Sequence, residues 1–106
     1  MPVRRGLVGA PQDYVSAKGS WPQGPFRKGT PRSVYYAAHI AKRVAEAIAD
    51  ADITHTAAAA ELEVARATLY DVLAGRTFPD LHTIVKAEAA FGTRLWPEAT
   101  DLPAGI

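Results

Sequence analysis

The amino-acid sequence predicts an all-α fold, a compact domain of four to five helices that follows an irregular, basic N-terminal arm. From residue 32 onward, apolar side chains recur at spacings of three and four residues, which is the period of an amphipathic helix. Alanine is frequent there, with a run at residues 57–60, and alanine has the highest helix propensity. Glycine and proline instead concentrate in residues 1–31, where neither a helix period nor a strand period is visible.

We therefore divide the 106-residue chain into three parts. Residues 1–31 form the irregular arm, residues 32–97 the helical domain and residues 98–106 a polar tail. A chain of this length forms one modest hydrophobic core. Trp21 and Phe26 stand out in the arm, because two large aromatic side chains would pin part of it onto the helical body.

The composition excludes several classes of protein. The chain has no apolar run of the ~20 residues that a membrane span needs, and no apolar segment follows Arg4 and Arg5 as it would in a secretory signal. Cysteine is absent, which excludes disulfides, thiol catalysis and cysteine-based metal sites. These observations favour a cytoplasmic protein without membrane contact.

The net charge of +1 hides a strong asymmetry along the chain. Residues 1–43 carry eight basic side chains and one acid, a net charge of +7. Residues 44–106 carry four basic side chains and ten acids, a net charge of −6. A basic segment of this size is typical of a surface that meets a polyanion.

The first helix is predicted over residues 32–50. Thr30 or Ser33 is a suitable N-cap, and Pro31 suits the first turn, where a missing N–H costs nothing. Its buried stripe follows the spacing of three and four residues and consists of Tyr36, Ile40, Val44, Ala47, Ile48 and Ala51.

Two short helices follow in close succession. Thr54 is the predicted N-cap of a second helix over residues 55–62, and a third helix over residues 64–75 ends at Gly75, a natural C-cap. Small side chains would let the two helices pack closely. The predicted contacts join Ala58, Ala59 and Leu62 of the second helix to Val64, Leu69 and Val72 of the third.

A fourth helix is predicted between Asp80, which caps its start, and Gly92, which closes it. Its apolar residues are Leu81, Ile84, Val85, Ala87 and Phe91. Leu95 and Trp96 come next and are expected to plug the core.

Two short helices joined by a tight turn are the geometry that places the second helix in the major groove of DNA. Residues 53–76, ITHTAAAAELEVARATLYDVLAGR, resemble the helix-turn-helix of the Cro/C1-type (XRE-like) repressors, and residues 77–92, TFPDLHTIVKAEAAFG, resemble that family's fourth helix. The likeness covers residues 32–96. It departs from the family at Glu63, where glycine is usual in the turn, so that this turn must accept a bulkier residue in a strained or altered conformation.

Two further departures affect the packing of the motif. Ala58 stands where leucine is usual, and Leu73 with Ala74 replaces the usual glutamate before the closing glycine. The resemblance nevertheless implies a repressor-like helix-turn-helix domain that acts in transcription regulation. The expected partner is double-stranded DNA, bound by a homodimer because one helix-turn-helix reads about half an operator, and no cofactor or metal is expected.

The resemblance assigns the base-contacting residues by position, with Leu69 and Val72 facing inward. The planar fork of Arg66 matches the O6/N7 edge of guanine, and Ala67 and the methyl group of Thr68 fit a thymine methyl. Tyr70 would bind a base or a phosphate. Asp71 would accept from cytosine or orient Arg66 or Tyr70.

The predicted backbone-contacting residues lie at the helix ends. Thr54, His55 and Thr56 lie at a helix N-terminus, where free N–H groups and the helix dipole favour a phosphate, and Arg76 follows the third helix as a phosphate clamp. The charge of this unit opposes DNA, because residues 54–77 hold two bases and three acids. We therefore hypothesise that cations of the arm and first helix follow the DNA backbone or enter the minor groove; these are Arg4, Arg5, Lys18, Arg27, Lys28 and Arg32.

Two other classes of function remain open at this stage. A protein-binding module on the same fold, such as an antitoxin whose basic arm wraps a toxin or another regulator, would also explain the Gly/Pro-rich arm and the acidic unit. An enzyme is the weakest reading, because the sequence has no cysteine, no Gly-rich phosphate loop and no clustered histidines. His39, His55 and His82 lie on different predicted elements without metal-ligand spacing.

Overall fold

The computed structural model describes residues 9–106, which form four α-helices and a two-stranded antiparallel sheet. The strands are β1 (Val15–Ser20) and β2 (Gly24–Phe26), and 3-10 turns lie at Pro11–Tyr14 and Ala99–Asp101. The helices are α1 (Arg32–Ala51), α2 (His55–Leu62), α3 (Arg66–Ala74) and α4 (Leu81–Phe91).

The prediction of an all-α fold with an irregular arm is wrong, because residues 11–26 fold into a 3-10 turn and a β-hairpin. Val15 pairs with Phe26 and Ser20 with Gly24, with an irregularity between the two pairs. The first strand, VSAKGS, alternates polar residues only with Val, Ala and Gly, and the second has three residues, so the period-2 signal of a strand is weak. An isolated hairpin is marginal in water, and this one is stabilised by packing on the helices, a tertiary contact that local sequence does not encode.

The hairpin docks on the C-terminal end of α3. The indole N–H of Trp21 donates to the carbonyl oxygen of Leu73 at 3.0 Å, and the backbone N–H of Gln12 donates to the carbonyl oxygen of Gly75 at 2.8 Å. Phe26 packs edge-on against Trp21, with ring centroids 6.0 Å apart, and against Tyr35 of α1, 5.1 Å away. The expectation that Trp21 and Phe26 pin the arm to the helical body is therefore confirmed.

The first helix was placed correctly, but its predicted cap was not. The N-cap of α1 is Pro31, without a side-chain cap bond, because the hydroxyl of Thr30 donates instead to the carbonyl oxygen of Arg27. The buried side of the helix runs from Val34 to Ile48. The charged residues of α1 stay off that side.

No helix in residues 9–106 has the length and apolarity to cross a membrane.

The hydrophobic core lies between the four helices and the segment after α4. It consists of Ile40, Val44, Ile48, Ala58, Ala59, Leu62, Leu69, Ile84, Ala87 and Leu95. On α4 the apolar prediction fails at Leu81 and Val85, which are 69% and 53% exposed. The core closes over Ile84 and Ala87, whereas the side chains of Leu81 and Val85 point to solvent.

Leu95 plugs the core as predicted, but Trp96 does not. The Oε2 atom of Glu88 accepts the backbone N–H groups of Leu95 at 2.9 Å and Trp96 at 3.2 Å, which fixes the course of this segment. Leu95 is fully buried, whereas Trp96 remains 43% exposed, with its ring edge-on to Tyr36 at 5.5 Å. The two N–H donors also lower the pKa of Glu88 from its ordinary value.

His39 lies on α1 beside the C-terminal segment, with its Nε2 atom 3.9 Å from Oδ2 of Asp101. Burial lowers the pKa of His39 below its ordinary value of 6.5. Asp101 opposes this effect, Arg43 and Lys42 lower the pKa further, and Glu46 raises it slightly. The folded protein therefore favours the neutral imidazole.

Two constraints require glycine at position 75, whereas only one of them applies at position 92. Both Gly75 and Gly92 adopt left-handed backbone conformations, with φ of 74° and 61°. A Cβ atom at Gly75 would also lie 2.6 Å from two ring atoms of Trp21, whereas one at Gly92 meets no described atom within 4 Å.

We expect Gly75→Ala to lower the free energy of unfolding by about 2–4 kcal/mol, since it adds an overpacking cost to the cost of the left-handed conformation. Gly92→Ala is the matched control and should lose only about 1 kcal/mol. Urea unfolding followed by circular dichroism measures both. Equal losses in the two variants would contradict the contact with Trp21.

We also expect the free energy of unfolding to fall as the pH is lowered from about 7 to about 5. The unfolded chain binds a proton at His39 near the ordinary pKa of 6.5, whereas the folded chain binds it only at lower pH. The stability that the neutral His39 contributes is therefore present above pH 6.5 and is lost as the pH falls below it. His39→Gln should flatten the fall in urea unfolding measured across this range. An unchanged slope would contradict the assignment.

Candidate nucleic-acid interface

The N-terminus of α2 is organised by Thr54, whose side-chain oxygen accepts the backbone N–H of Ala57 at 3.0 Å. The predicted cap is therefore confirmed, and it occupies the hydroxyl oxygen of Thr54. His55 and Thr56 follow in the first turn of the helix, His55 half-buried and Thr56 exposed. The free N–H groups at this end of α2 lie beside both side chains.

The turn between α2 and α3 passes through Glu63, which adopts a left-handed conformation with φ 58° and ψ 40°. This is the unusual backbone that the sequence led us to expect where glycine is customary. Oε1 of Glu63 lies 2.8 Å from Nζ of Lys86 on α4. The hydrogen bond and the charge of Lys86 lower the pKa of Glu63 and tie the turn to α4.

Small side chains bring α2 and α3 together as predicted. Ala58 and Ala59 are 0% and 3% exposed, and they belong to the same core cluster as Leu62 and Leu69. The third helix begins at Arg66, two residues later than predicted. Val64 is half-buried in the turn instead.

The outer face of α3 carries the residues that the sequence assigns to base contact. Arg66, Ala67, Thr68 and Tyr70 are exposed and Asp71 is half-exposed, whereas Leu69 and Val72 are buried as predicted. A side chain that reaches a base edge must project from this face.

Two contacts between α2 and α3 fix the most prominent side chains of this face. Nη1 of Arg66 donates to Oγ1 of Thr56 at 3.2 Å. The ring of Tyr70, 42% exposed, stacks on that of His55, with centroids 5.3 Å apart and planes at 18°. Arg66 and Tyr70 are thus brought together with His55 and Thr56, two of the three backbone-contacting residues predicted at the start of α2.

Arg76 and Asp71 neutralise one another. Nε of Arg76 lies 2.8 Å from Oδ1 of Asp71, so Asp71 orients Arg76 rather than Arg66 or Tyr70. The pair brings a predicted base contact and a predicted phosphate contact to the end of α3, with a combined charge of zero.

The charge that opposes DNA is largely removed from this face by such pairing. Asp71 is paired with Arg76 and Glu63 with Lys86, while Glu61 lines a separate cavity with Asp50 and Phe91. Within residues 9–106, no carboxylate lies within 4.0 Å of the Arg66 guanidinium. Arg66 therefore presents an uncompensated positive charge.

The cations of the arm are engaged elsewhere. Nη2 of Arg27 donates to the carbonyl oxygen of Asp13 at 2.8 Å, and its guanidinium lies over the ring of Tyr14. The guanidinium of Arg32 lies over the ring of Tyr36, and its Nε donates to the Tyr36 hydroxyl at 3.3 Å.

The other two arm cations within the described residues are Lys18 and Lys28. Lys18 and Lys28 are exposed on the hairpin and on the segment that follows it. The hypothesis for Arg4 and Arg5 lies outside the described residues.

Sequence reasoning missed the role of Lys86, and it expected Trp21 on the helical body without assigning it to the end of α3. Trp21 supports the end of α3 across 52 positions of sequence, and Lys86 reaches Glu63 from α4. No local sequence pattern predicts either of these contacts, because each joins residues that are far apart in the sequence. The only sequence signal was a lone tryptophan in a segment without an apolar pattern.

Comparisons of the chain with models of known protein families, with curated proteins and with solved structures find no match in any of the three. Among residues 9–106, no group of three or more histidine, aspartate or glutamate side chains is arranged to hold a metal ion.

We expect Glu63→Gly to be more stable than Glu63→Ala by about 1 kcal/mol, because only glycine adopts the left-handed conformation without a steric cost. Both variants lose the ion pair with Lys86, so their difference isolates the backbone term. Thermal and urea unfolding measure it. Equal stability of the two variants would show that the turn is unstrained.

Proposed function

We propose that this protein is a sequence-specific regulator of transcription, a repressor that binds double-stranded DNA in the cytoplasm and blocks a promoter by occupying it. The observation that carries the proposal is Arg66, an exposed, uncompensated arginine at the first position of α3, held by Thr56 of the preceding helix. The resemblance of residues 32–96 to the Cro/C1-type repressors supports the same reading.

In the proposed complex, the N-terminal end of α3 enters the major groove. A groove about 12 Å wide accepts one helix when the neighbouring side chains are small, and Ala67 is the next residue on this face. The planar guanidinium of Arg66 then pairs with the O6 and N7 atoms of a guanine. Its hydrogen bond to Thr56 holds the side chain before DNA arrives, which lowers the entropy lost on binding.

The start of α2 supplies the phosphate contact. Its free N–H groups and the positive end of its dipole attract an anion, and His55 and Thr56 lie beside them. The stack of His55 on Tyr70 links this phosphate contact to the base-reading face, so that one side of Tyr70 is fixed while its hydroxyl remains free to bind.

Homodimerisation belongs to the same proposal. One helix-turn-helix reads about half an operator, and a two-fold dimer aligns two such helices with half-sites about 34 Å apart. We expect two chains to bind one palindromic duplex when the stoichiometry of the DNA complex is measured.

The alternative of an antitoxin or other protein-binding module has less support from the described residues. Its main argument was an irregular arm that folds around a partner, whereas residues 11–26 already form a hairpin packed on α3. A duplex bound only in the presence of a purified toxin or second regulator would favour this alternative.

The test begins with selection of a preferred duplex from random DNA by the wild-type protein. Arg66→Ala should reduce the ratio of selected to random affinity by about 10- to 100-fold. Arg66→Lys keeps the charge but loses the planar fork, so it should lose most of this preference while retaining the salt dependence of binding.

Arg94→Ala is the matched control, since it removes one exposed positive charge after α4 and should leave the ratio unchanged. Absence of any preferred duplex for the wild-type protein, or equal losses in Arg66→Ala and Arg94→Ala, would refute the proposal.

A further inference from the structure

The C-terminal turn of α3 depends on contacts from outside the helix as well as on its own residues. The helix has only nine residues, and helices of this length are marginal without tertiary contacts. Its N-cap, Ala65, makes no side-chain cap bond. Leu69 and Val72 are its buried side chains and Leu73 packs half-buried against the core, but the carbonyl groups of the last turn still need partners from outside the helix.

The support comes from the N-terminal segment. The last carbonyl groups of a helix have no partner within it, and two of the carbonyls at this end accept hydrogen bonds from the 3-10 turn and the hairpin. The indole of Trp21 donates to Leu73, and the backbone of Gln12 donates to Gly75. Both donors lie far upstream in sequence and close one end of the same helix.

The Trp21 ring also occupies the space that a side chain at Gly75 would fill. The nearest ring atoms lie 2.6 Å from the position of a Cβ there, so the ring rests directly on the Gly75 backbone. The ring is braced by Phe26, and Phe26 in turn by Tyr35 on α1. This aromatic series connects the end of α3 to the longest helix of the fold.

We propose that Trp21 is a positioning residue for the DNA-reading helix: it fixes the last turn of α3, and with it the Asp71–Arg76 pair and the tilt of the face that carries Arg66 and Tyr70. The inference rests on the proposed function. The hairpin acts through α3 rather than by its own contact with DNA. Arg76 follows Gly75 directly, so its position depends on the same contact.

The first measurement is amide hydrogen exchange in the DNA-free protein. Trp21→Phe removes the N–H donor and keeps an aromatic ring. Loss of one hydrogen bond should accelerate exchange at residues 73–76 by about 3- to 10-fold relative to the core amides of α1. Trp96→Phe, at the other tryptophan, should leave residues 73–76 unchanged.

The second measurement is the affinity of the same variants for the selected duplex and for random DNA. Trp21→Phe should lower the ratio of the two affinities by about 3- to 10-fold, with a smaller change in random affinity, because misplacement of α3 affects base contacts more than phosphate attraction. Trp21→Ala should enlarge both effects. If it does not fold, Trp21→Phe alone decides.

Uniform acceleration of exchange in all helices, or none at residues 73–76, would overturn the inference. Accelerated exchange with an unchanged affinity ratio would also overturn it, since Trp21 would then stabilise α3 without positioning it for DNA. If the wild-type protein prefers no duplex, the proposed function fails and the positioning role fails with it, while the exchange data still decide whether Trp21 fixes the last turn of α3.

Discussion

The close contact between α2 and α3 is the constraint on which the candidate interface depends. Ala58 and Ala59 are buried and carry no side chain larger than a methyl group, and Glu63 reverses the chain in a left-handed conformation. This proximity lets Thr56 reach Arg66 and His55 reach Tyr70. A larger residue at Ala59 would separate both pairs at once, because interiors packed this densely have no free volume to absorb it.

The helices and the exposure of most candidate site residues followed from sequence, because their signals are local. The spacing of Ile40, Val44 and Ile48 predicts the buried side of α1, and Thr54 and Gly75 mark helix ends through the backbone geometry that they favour. The inward placement of Leu69 and Val72 is the same kind of inference. Because Leu69 and Val72 face the core, the intervening residues of α3 fall on its opposite side, and their exposure could be predicted.

The hairpin and the charge pairing did not follow, because each depends on contacts between distant parts of the chain. The strands of the hairpin are short and their apolar residues are mostly small, so their stability comes from the surface against which Trp21 and Phe26 pack. The pairing of Lys86 with Glu63 changes the electrostatic character of the α2–α3 unit from outside it. A net charge summed over a stretch of sequence therefore misrepresents the field at the face itself.

The docking of the hairpin on α3 changes where the smallest autonomous folding unit begins. The apolar period starts at residue 32, and a fragment cut there would retain all four helices. It would also leave the Leu73 and Gly75 carbonyls without their donors and expose the apolar surface beneath the Trp21 ring. A transplantable version of this helix-turn-helix must therefore include the hairpin and the 3-10 turn before it, although neither belongs to the motif itself.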